Sequence, residues 1–226
     1  MTSEIRLDLH VHSRHSPDSS LALPQIVARI GVVGLHGFAL TDHNTIAGHR
    51  ELAALAREYP SYRFIPGVEV STREGHLLLY GVSELPPIHR PIVETLDWAR
   101  AHGAVASIAH PFRWAHGVGR AVASTAPSDA LEAINGHNSE ITNARAALLA
   151  ARRKLGETGG SDAHTVPHIG RAFTEFPEDH RSLDDLLDEV RRGRTRALGR
   201  SLGAGGRLRV GIRTSLLRVA RGFRPI

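Results

Sequence analysis

The sequence predicts an α/β fold of parallel βα units around a closed or nearly closed sheet. Three observations carry that expectation. Seven short apolar or alternating runs read as strands, with helical patterns between several of them. A length of 226 residues suits one core of barrel size. Finally, the strand-like runs end in His, Asp, Glu or Asn, and barrels of parallel strands gather such residues at one rim.

The first run, residues 5–12, alternates Leu7, Leu9 and Val11 with Asp8, His10 and His12. Alternate side chains of a strand share a face, so His10 and His12 stand together, ~7 Å apart along the chain. Two imidazoles so placed can serve one cation. Ser16-Pro17-Asp18 then breaks the strand and brings in a carboxylate. A helix opens at Leu23-Pro24-Gln25, with Pro in its first turn and Ile26, Val27 and Ile30 on one face. The second strand, 37–41, runs into Asp42-His43-Asn44, where Asn44 is the expected N-cap of a helix over 45–59. Runs 63–71 and 76–81 are too close for an intervening helix and form a hairpin bearing Glu69 and His76. Residues 83–91, with three prolines, connect to a helix over 90–102. Strand 104–109 ends in His110-Pro111, and strand 130–135 ends in Asn135-Gly136-His137-Asn138. A helix over 140–155 precedes strand 157–160, which ends in Ser161-Asp162-Ala163-His164. The helix over 182–192 starts with a Ser-x-x-Asp capping pattern.

Composition narrows the chemistry. There is no cysteine, so disulfides and thiolate metal sites are excluded, and any metal must be held by nitrogen and oxygen. Fifteen histidines are the unusual feature. No apolar leader or long uncharged apolar run occurs, so no transmembrane segment is expected and a cytoplasmic location is. Eleven arginines and no acid fall from Arg191 onward, leaving 17 basic against 23 acidic residues before it. The body is acidic and the tail basic.

The segments Asp8-Leu9-His10-Val11-His12-Ser13, Leu40-Thr41-Asp42-His43-Asn44, Gly67-Val68-Glu69-Val70-Ser71, Ile108-Ala109-His110-Pro111 and Gly160-Ser161-Asp162-Ala163-His164 stand in a specific order. In that order the chain resembles the PHP (polymerase and histidinol phosphatase) superfamily from about Ile5 to Phe176. The resemblance implies a distorted seven-stranded, TIM-like βα barrel. It also implies two or three divalent metal ions (Zn, Mn or Fe) and hydrolysis of phosphoesters by metal-activated hydroxide. By the same resemblance, His10 and His12 bind a first metal with Glu69 and Asp162. Glu69 bridges to a second metal held by His110 and His76, and Asp18, His43 and His164 hold a third.

Around these, Asp42 is expected either to orient a ligand histidine or to fix the turn before Asn44. Asn138, His15 and His116 are expected at the rim. Arg113 and Arg14 are the candidate phosphate-binding residues, because a guanidinium fork donates two parallel hydrogen bonds; a salt bridge and a solvated loop are the competing readings. Trp114 either stacks on a base or simply packs. His36, His49, His89, His102 and His180 have no partner nearby and are expected at the surface. Only residues 81–103 separate the Glu-bearing and His-Pro segments. That is too few for the helical insertion of several family nucleotidases, so an open, lidless site is expected.

Residues 1–192 are thus expected to form the PHP domain and 193–226 a basic appendage. In the latter, 193–206 reads as a flexible linker, and Ile212, Leu216, Val219, Ala220 and Phe223 share a helical face opposite Arg218 and Arg221. That helix either docks on the barrel or contacts a polyanion, lipid or nucleic acid. The expected function is hydrolysis of a phosphomonoester on a small molecule, nucleotide or nucleic-acid end. Histidinol-phosphate phosphatase and a non-catalytic metal- or nucleic-acid-binding module are the rivals, and a C–N hydrolase fits the ligand order less well. A competent residue at every motif position favours an enzyme.

Overall fold

In the computed structural model the chain is described over residues 4–177 and 182–222. Two residues named above, His180 and Phe223, lie outside the described residues. The elements run β1 (Ile5–Val11), α1 (Leu23–Val32), β2 (Gly37–Leu40), α2 (His49–Glu58), β3 (Arg63–Ser71), β4 (His76–Tyr80), α3 (Ile92–Ala101) and β5 (Val105–Ile108). They continue with α4 (Gly119–Thr125), β6 (Ala130–Asn135), α5 (Glu140–Arg153), β7 (Gly156–Gly160), β8 (Ala172–Phe176), α6 (Leu183–Arg191), β9 (Arg196–Gly199) and α7 (Ala204–Ala220).

Among the described residues, all nine strands belong to one sheet of order β7-β6-β5-β4-β3-β2-β1-β8-β9. β1, β2 and β3 are parallel neighbours, as are β5, β6 and β7, while the β3–β4 hairpin and the β4–β5 pair are antiparallel. The sheet curls until β7 meets β1, where the Asp162 amide donates to His10 O at 2.7 Å and the His12 amide to Ala163 O at 3.1 Å. Bare backbone makes this seam possible: a Cβ on Gly160 would sit 2.2 Å from His10 Cβ, and one on Gly159 would sit 2.4 Å from Phe173 O. Buried Asp8 ties the same seam, accepting from the Ser161 amide at 2.8 Å and the Gly170 amide at 2.9 Å. Burial lifts its pKa to about 6 despite those hydrogen bonds.

Hydrocarbon packs the barrel strands against one another and against the helices around them. Leu7, Leu9, Ile65, Leu78, Tyr80 and Val105 form one buried cluster with Leu186, Leu187 and Val190 of α6. Tyr80 Oη donates to Leu9 O at 3.1 Å, which satisfies its hydroxyl within that core. α1 and α2 pack Ile26, Ile30, Leu52 and Leu55 against Phe38 and Leu40. The Ser182 hydroxyl caps α6 as its sequence suggests, accepting from the Asp185 amide at 3.1 Å.

Several expectations are corrected. Among the described residues the sheet has nine strands, because β8 and β9 continue it beyond β1, whereas seven strands were expected. β8 pairs antiparallel with β1, and β9 pairs antiparallel with β8, so residues 193–206 are not a flexible linker and the sheet runs past residue 192. β9 is hard to read because only Ala197 of its four residues is buried. Asn44 is not an N-cap: its φ is 52°, outside the extended region a cap requires, and α2 starts only at His49. Its side chain instead grips Ser71, accepting from the Ser71 amide and donating to Ser71 Oγ, both at 2.9 Å. His49 is half-buried rather than on the surface, and its Nε2 donates to Gly67 O at 2.8 Å.

The tail helix forms, but with its faces reversed. Ile212, Leu216, Val219 and Ala220 are exposed, while Arg218 turns inward. Arg221 Nη1 donates to Ser16 O at 2.7 Å and Ser19 O at 2.9 Å, fastening α7 to the loop after β1.

Candidate metal centre

The strand ends converge on Glu69, a fully enclosed carboxylate on β3. Its Oε1 lies 2.8 Å from His76 Nδ1 and 2.9 Å from His110 Nε2. Its Oε2 lies 3.1 Å from His10 Nε2, 3.2 Å from His12 Nε2 and 3.1 Å from His43 Nδ1. One carboxylate is thus shared by five imidazoles, from β1, β4 and the loops after β1, β2 and β5. Asp162 adjoins the same group, with Oδ1 3.2 Å from His12 Nε2 and 3.6 Å from His10 Nε2. Asp18 Oδ2 lies 3.2 Å from His164 Nε2 and 3.4 Å from His43 Nε2. All nine residues expected as ligands (His10, His12, Asp18, His43, Glu69, His76, His110, Asp162 and His164) are therefore brought together, and all are buried.

Neighbouring groups aim these ligands. Glu132, fully buried on β6, meets His10 Nδ1 at 2.8 Å and accepts from the His110 amide at 2.7 Å. Such a carboxylate fixes the ring's tautomer and turns Nε2 toward Glu69 and Asp162. Ser16 Oγ lies 3.1 Å from His12 Nδ1 and accepts from the His43 amide at 2.9 Å. Asp42 takes the second of its expected roles, as an anchor for backbone. It accepts from the Ser13 amide at 2.6 Å and from Ser13 Oγ at 2.7 Å, and so sets the loop that carries Ser16 and Asp18. His110 (φ 26°) and Asp162 (φ 56°) both hold left-handed backbone conformations, strain of ~1–3 kcal/mol of the kind that gathers at functional sites.

Among the described residues, four overlapping groups present ligand atoms within 4.8 Å of one another: His10, His12, Glu69 and Asp162; His12, Asp18, His43 and His164; His43, Glu69 and His76; and His137, Asp162 and His164. The buried atoms His12 Nε2, His43 Nδ1, His164 Nε2 and Asp18 Oδ1 make no hydrogen bond. Polar atoms buried without a partner are costly, and divalent cations bound by nitrogen and oxygen would satisfy them. The donor set fits Zn, Mn or Fe.

Charge balance points the same way. Burial alone would lower the pKa of His12, but its contacts with Asp162 and Glu69 outweigh burial and raise it to about 10. For His10 too, burial is outweighed, by the charges of Asp162, Glu132 and Glu69, and its pKa is raised. Burial opposes ionisation of Glu69, yet His43, His10 and His76 hold its pKa well below the carboxylate range. In the cation-free protein, protons on His10 and His12 therefore balance the carboxylates at neutral pH. A cation must displace them, so metal binding should release protons and tighten as pH rises toward about 10. Calorimetric titration in buffers of different ionisation enthalpy checks this; a buffer-independent heat would contradict it.

Arg113 reaches the cluster. Its Nη2 donates to Asp162 Oδ2 and Asn135 Oδ1, both at 2.7 Å, and its Nε donates to Asn138 Oδ1 at 3.1 Å. Among the described residues Nη1 makes no such bond, so a side chain that lines the pocket keeps two N–H donors uncommitted. Arg14 does not join it: its Nη2 donates to Glu51 Oε2 at 3.0 Å, the acid in the first turn of α2. His15 lies beside the same Glu51 at 3.5 Å. Trp114 is fully exposed, and His116 stacks on His76 with ring centroids 4.6 Å apart.

Two further residues stand at the cluster: Glu132, which the sequence reading does not name, and His137, named there only among the polar residues that end strand 130–135. Glu132 had a signal, as the one charged residue inside the apolar run 130–134. His137, with Nδ1 3.9 Å from Asp162 Oδ2, follows a strand end as the assigned ligands do. The expectation of a lidless site is overturned by α7. The pocket of about 320 Å³ over the cluster is lined on its far side by Arg207, Val210, Gly211, Thr214, Ser215 and Arg218.

Comparison with known proteins places this arrangement. The PHP domain family matches residues 8–153, and the PHP-associated family matches residues 140–195. An uncharacterized protein of Methanocaldococcus jannaschii is 29% identical over 118 residues, 48% of this chain and 68% of its own. A 5′-3′ exoribonuclease of Haemophilus influenzae is 42% identical over 67 residues, 30% of this chain but 24% of the exoribonuclease. A two-domain protein of Bacteroides vulgatus, containing a predicted PHP-like metal-dependent phosphoesterase, shares the fold. The two superpose with a TM-score of 0.70 at 20% identity, over 94% of this chain and 70% of that one.

Proposed function

The chain belongs to the PHP family, and from this premise we propose that it is a metal-dependent phosphoesterase that hydrolyses a phosphomonoester on a nucleotide or a nucleic-acid end. The observation that carries the proposal is Glu69 shared by five imidazoles, a site built to hold cations side by side. His10, His12, Glu69 and Asp162 would hold one cation, Glu69, His76 and His110 a second, and Asp18, His43 and His164, with His12, a third. When bound, such cations lower the pKa of water and offset the negative charge of a phosphoryl group.

The chain's own residues supply the rest. Glu69 could serve two cations, because its two oxygens face different imidazoles and its negative charge would offset the repulsion between neighbouring cations. Glu132 and Ser16 keep His10 and His12 aimed at the cluster, so no ring must reorient during turnover. Arg113 offers Nη1 to a phosphoryl oxygen while Asp162, Asn135 and Asn138 hold its other nitrogens in place. The likeness to the exoribonuclease supports a nucleotide or nucleic-acid substrate.

The test pairs metal analysis of the purified protein with phosphate release from nucleotides, bisphosphates, sugar phosphates, histidinol phosphate and 5′-phosphorylated oligonucleotides. Metal-dependent release, highest on nucleotides or oligonucleotide ends, is the expected result. A metal-loaded protein that released phosphate from none of them would refute the proposal.

A further inference from the structure

The helix over the pocket has the wrong face outward for ordinary docking. Leu208, Ile212, Leu216 and Val219 of α7 are 53–66% exposed, while its one buried residue is Val210. A helix that packs by burying hydrocarbon turns such a stripe inward. Here the helix is fastened by polar contacts, from Arg221 to Ser16 O and Ser19 O and from Arg213 Nη2 to Ser20 Oγ at 3.3 Å. Its inward face carries Arg207, Thr214 and Arg218 to the pocket wall opposite His43, His110 and Asp162.

Those two arginines lack the counter-charge that such a position demands. Arg207 donates to the Leu202 carbonyl, Arg218 Nε is buried with no hydrogen bond, and among the described residues neither is paired with a carboxylate. The carboxylates across the pocket are already engaged by imidazoles and Arg113. With cations bound there, two positive walls would face each other across a cavity of about 320 Å³. Like charges so placed repel unless an anion lies between them.

We infer that the inner face of α7 is a phosphate-binding wall, on which Arg207 and Arg218 take the outward oxygens of a terminal phosphate dianion and so select monoesters over diesters. The inference rests on the phosphoesterase reading above and adds the substrate's charge state and the residues that recognise it. A guanidinium fork matches two oxygens of one phosphate. A diester presents one negative charge fewer and a second substituent where the wall stands. An anion bound here also completes the inward face of α7, which hydrocarbon burial leaves weakly held.

The experiment uses the full-length, metal-loaded protein and its Arg207→Ala, Arg218→Ala, Arg218→Lys and Arg209→Ala variants. Steady-state kinetics are measured with p-nitrophenyl phosphate and bis-p-nitrophenyl phosphate, and affinity for inorganic phosphate is measured by calorimetry. Arg207→Ala and Arg218→Ala should raise KM for the monoester and weaken phosphate binding by about tenfold or more, the scale of a lost charge-assisted hydrogen bond. Their metal content should stay at the parent value, and diester kcat/KM should fall markedly less than monoester kcat/KM, because the diester carries one negative charge fewer. Arg218→Lys should recover part of the phosphate affinity, and Arg209→Ala, on the exposed side of α7, should behave as the parent. Unchanged monoester KM and phosphate affinity in both alanine variants, or equal losses on monoester and diester, would overturn the wall while leaving the phosphoesterase reading intact. A parent protein that neither binds phosphate nor cleaves either ester would overturn both.

Discussion

Glu69→Gln should eliminate metal-dependent turnover while leaving the barrel folded. The amide has nearly the shape of the carboxylate, so the core around β3 need not repack. What it lacks is the charge and one of two acceptor oxygens, in a position where His10, His12 and His43 converge on one oxygen and His76 and His110 on the other. Its NH₂ group would point donors at whichever cation site it faced. Residues that merely orient metal ligands cost ~10–100-fold in metal affinity or activity when replaced, and loss of the shared ligand should exceed that. Elemental analysis should find less bound metal per chain, and circular dichroism should match the parent. In the cation-free variant the His10 and His12 pKa values should fall, because one of the charges that raises them is gone. Parent-level turnover by Glu69→Gln would remove the central ligand from the proposed site.

Most of this centre was legible because it is built by a repeating local rule. A strand of period two presents His10 and His12 on one face, and polar residues just past apolar runs gave His43, His110, Asp162 and His164. The rule says nothing about contacts set only by tertiary approach. Arg14 stands next to the metal motif in sequence, yet pairs with Glu51 on the neighbouring helix, 37 positions away. The helical period of the tail was equally plain, but periodicity assigns two faces without saying which is covered. Here the carbonyls of Ser16 and Ser19, held out by the loop that Asp42 anchors, captured Arg221 and turned the arginine face inward. β9 is not legible in the sequence, because a four-residue edge strand with one buried side chain carries almost no pattern.

Glu132 is marked in the sequence only as a lone charge inside an apolar run, which names no partner, and its replacement by Ala should damage stability and metal binding together. Its carboxylate serves His10 Nδ1 at 2.8 Å, the His110 amide at 2.7 Å and Asn135 Nδ2 at 3.0 Å, all in a position closed to solvent. Leaving buried donors unpaired costs ~1–3 kcal/mol each, so even with partial relaxation Glu132→Ala should lose about 3 kcal/mol or more. For a chain of this length, a loss of ~1 kcal/mol lowers Tm by about 2–4 °C, so the drop should be near 10 °C. Freed from Glu132, the His10 ring can turn or change tautomer, and metal affinity should fall ~10–100-fold. Glu132→Gln separates the two effects. Its amide oxygen can still accept from one of the three donors, so it should keep more of the Tm, yet it cannot favour the Nδ1-protonated ring as a carboxylate does. Thermal melts and metal titrations of both variants decide the matter. If Glu132→Gln kept parent metal affinity while Glu132→Ala lost it only in proportion to unfolding, Glu132 would be a packing residue and His10 would be aimed by its backbone alone.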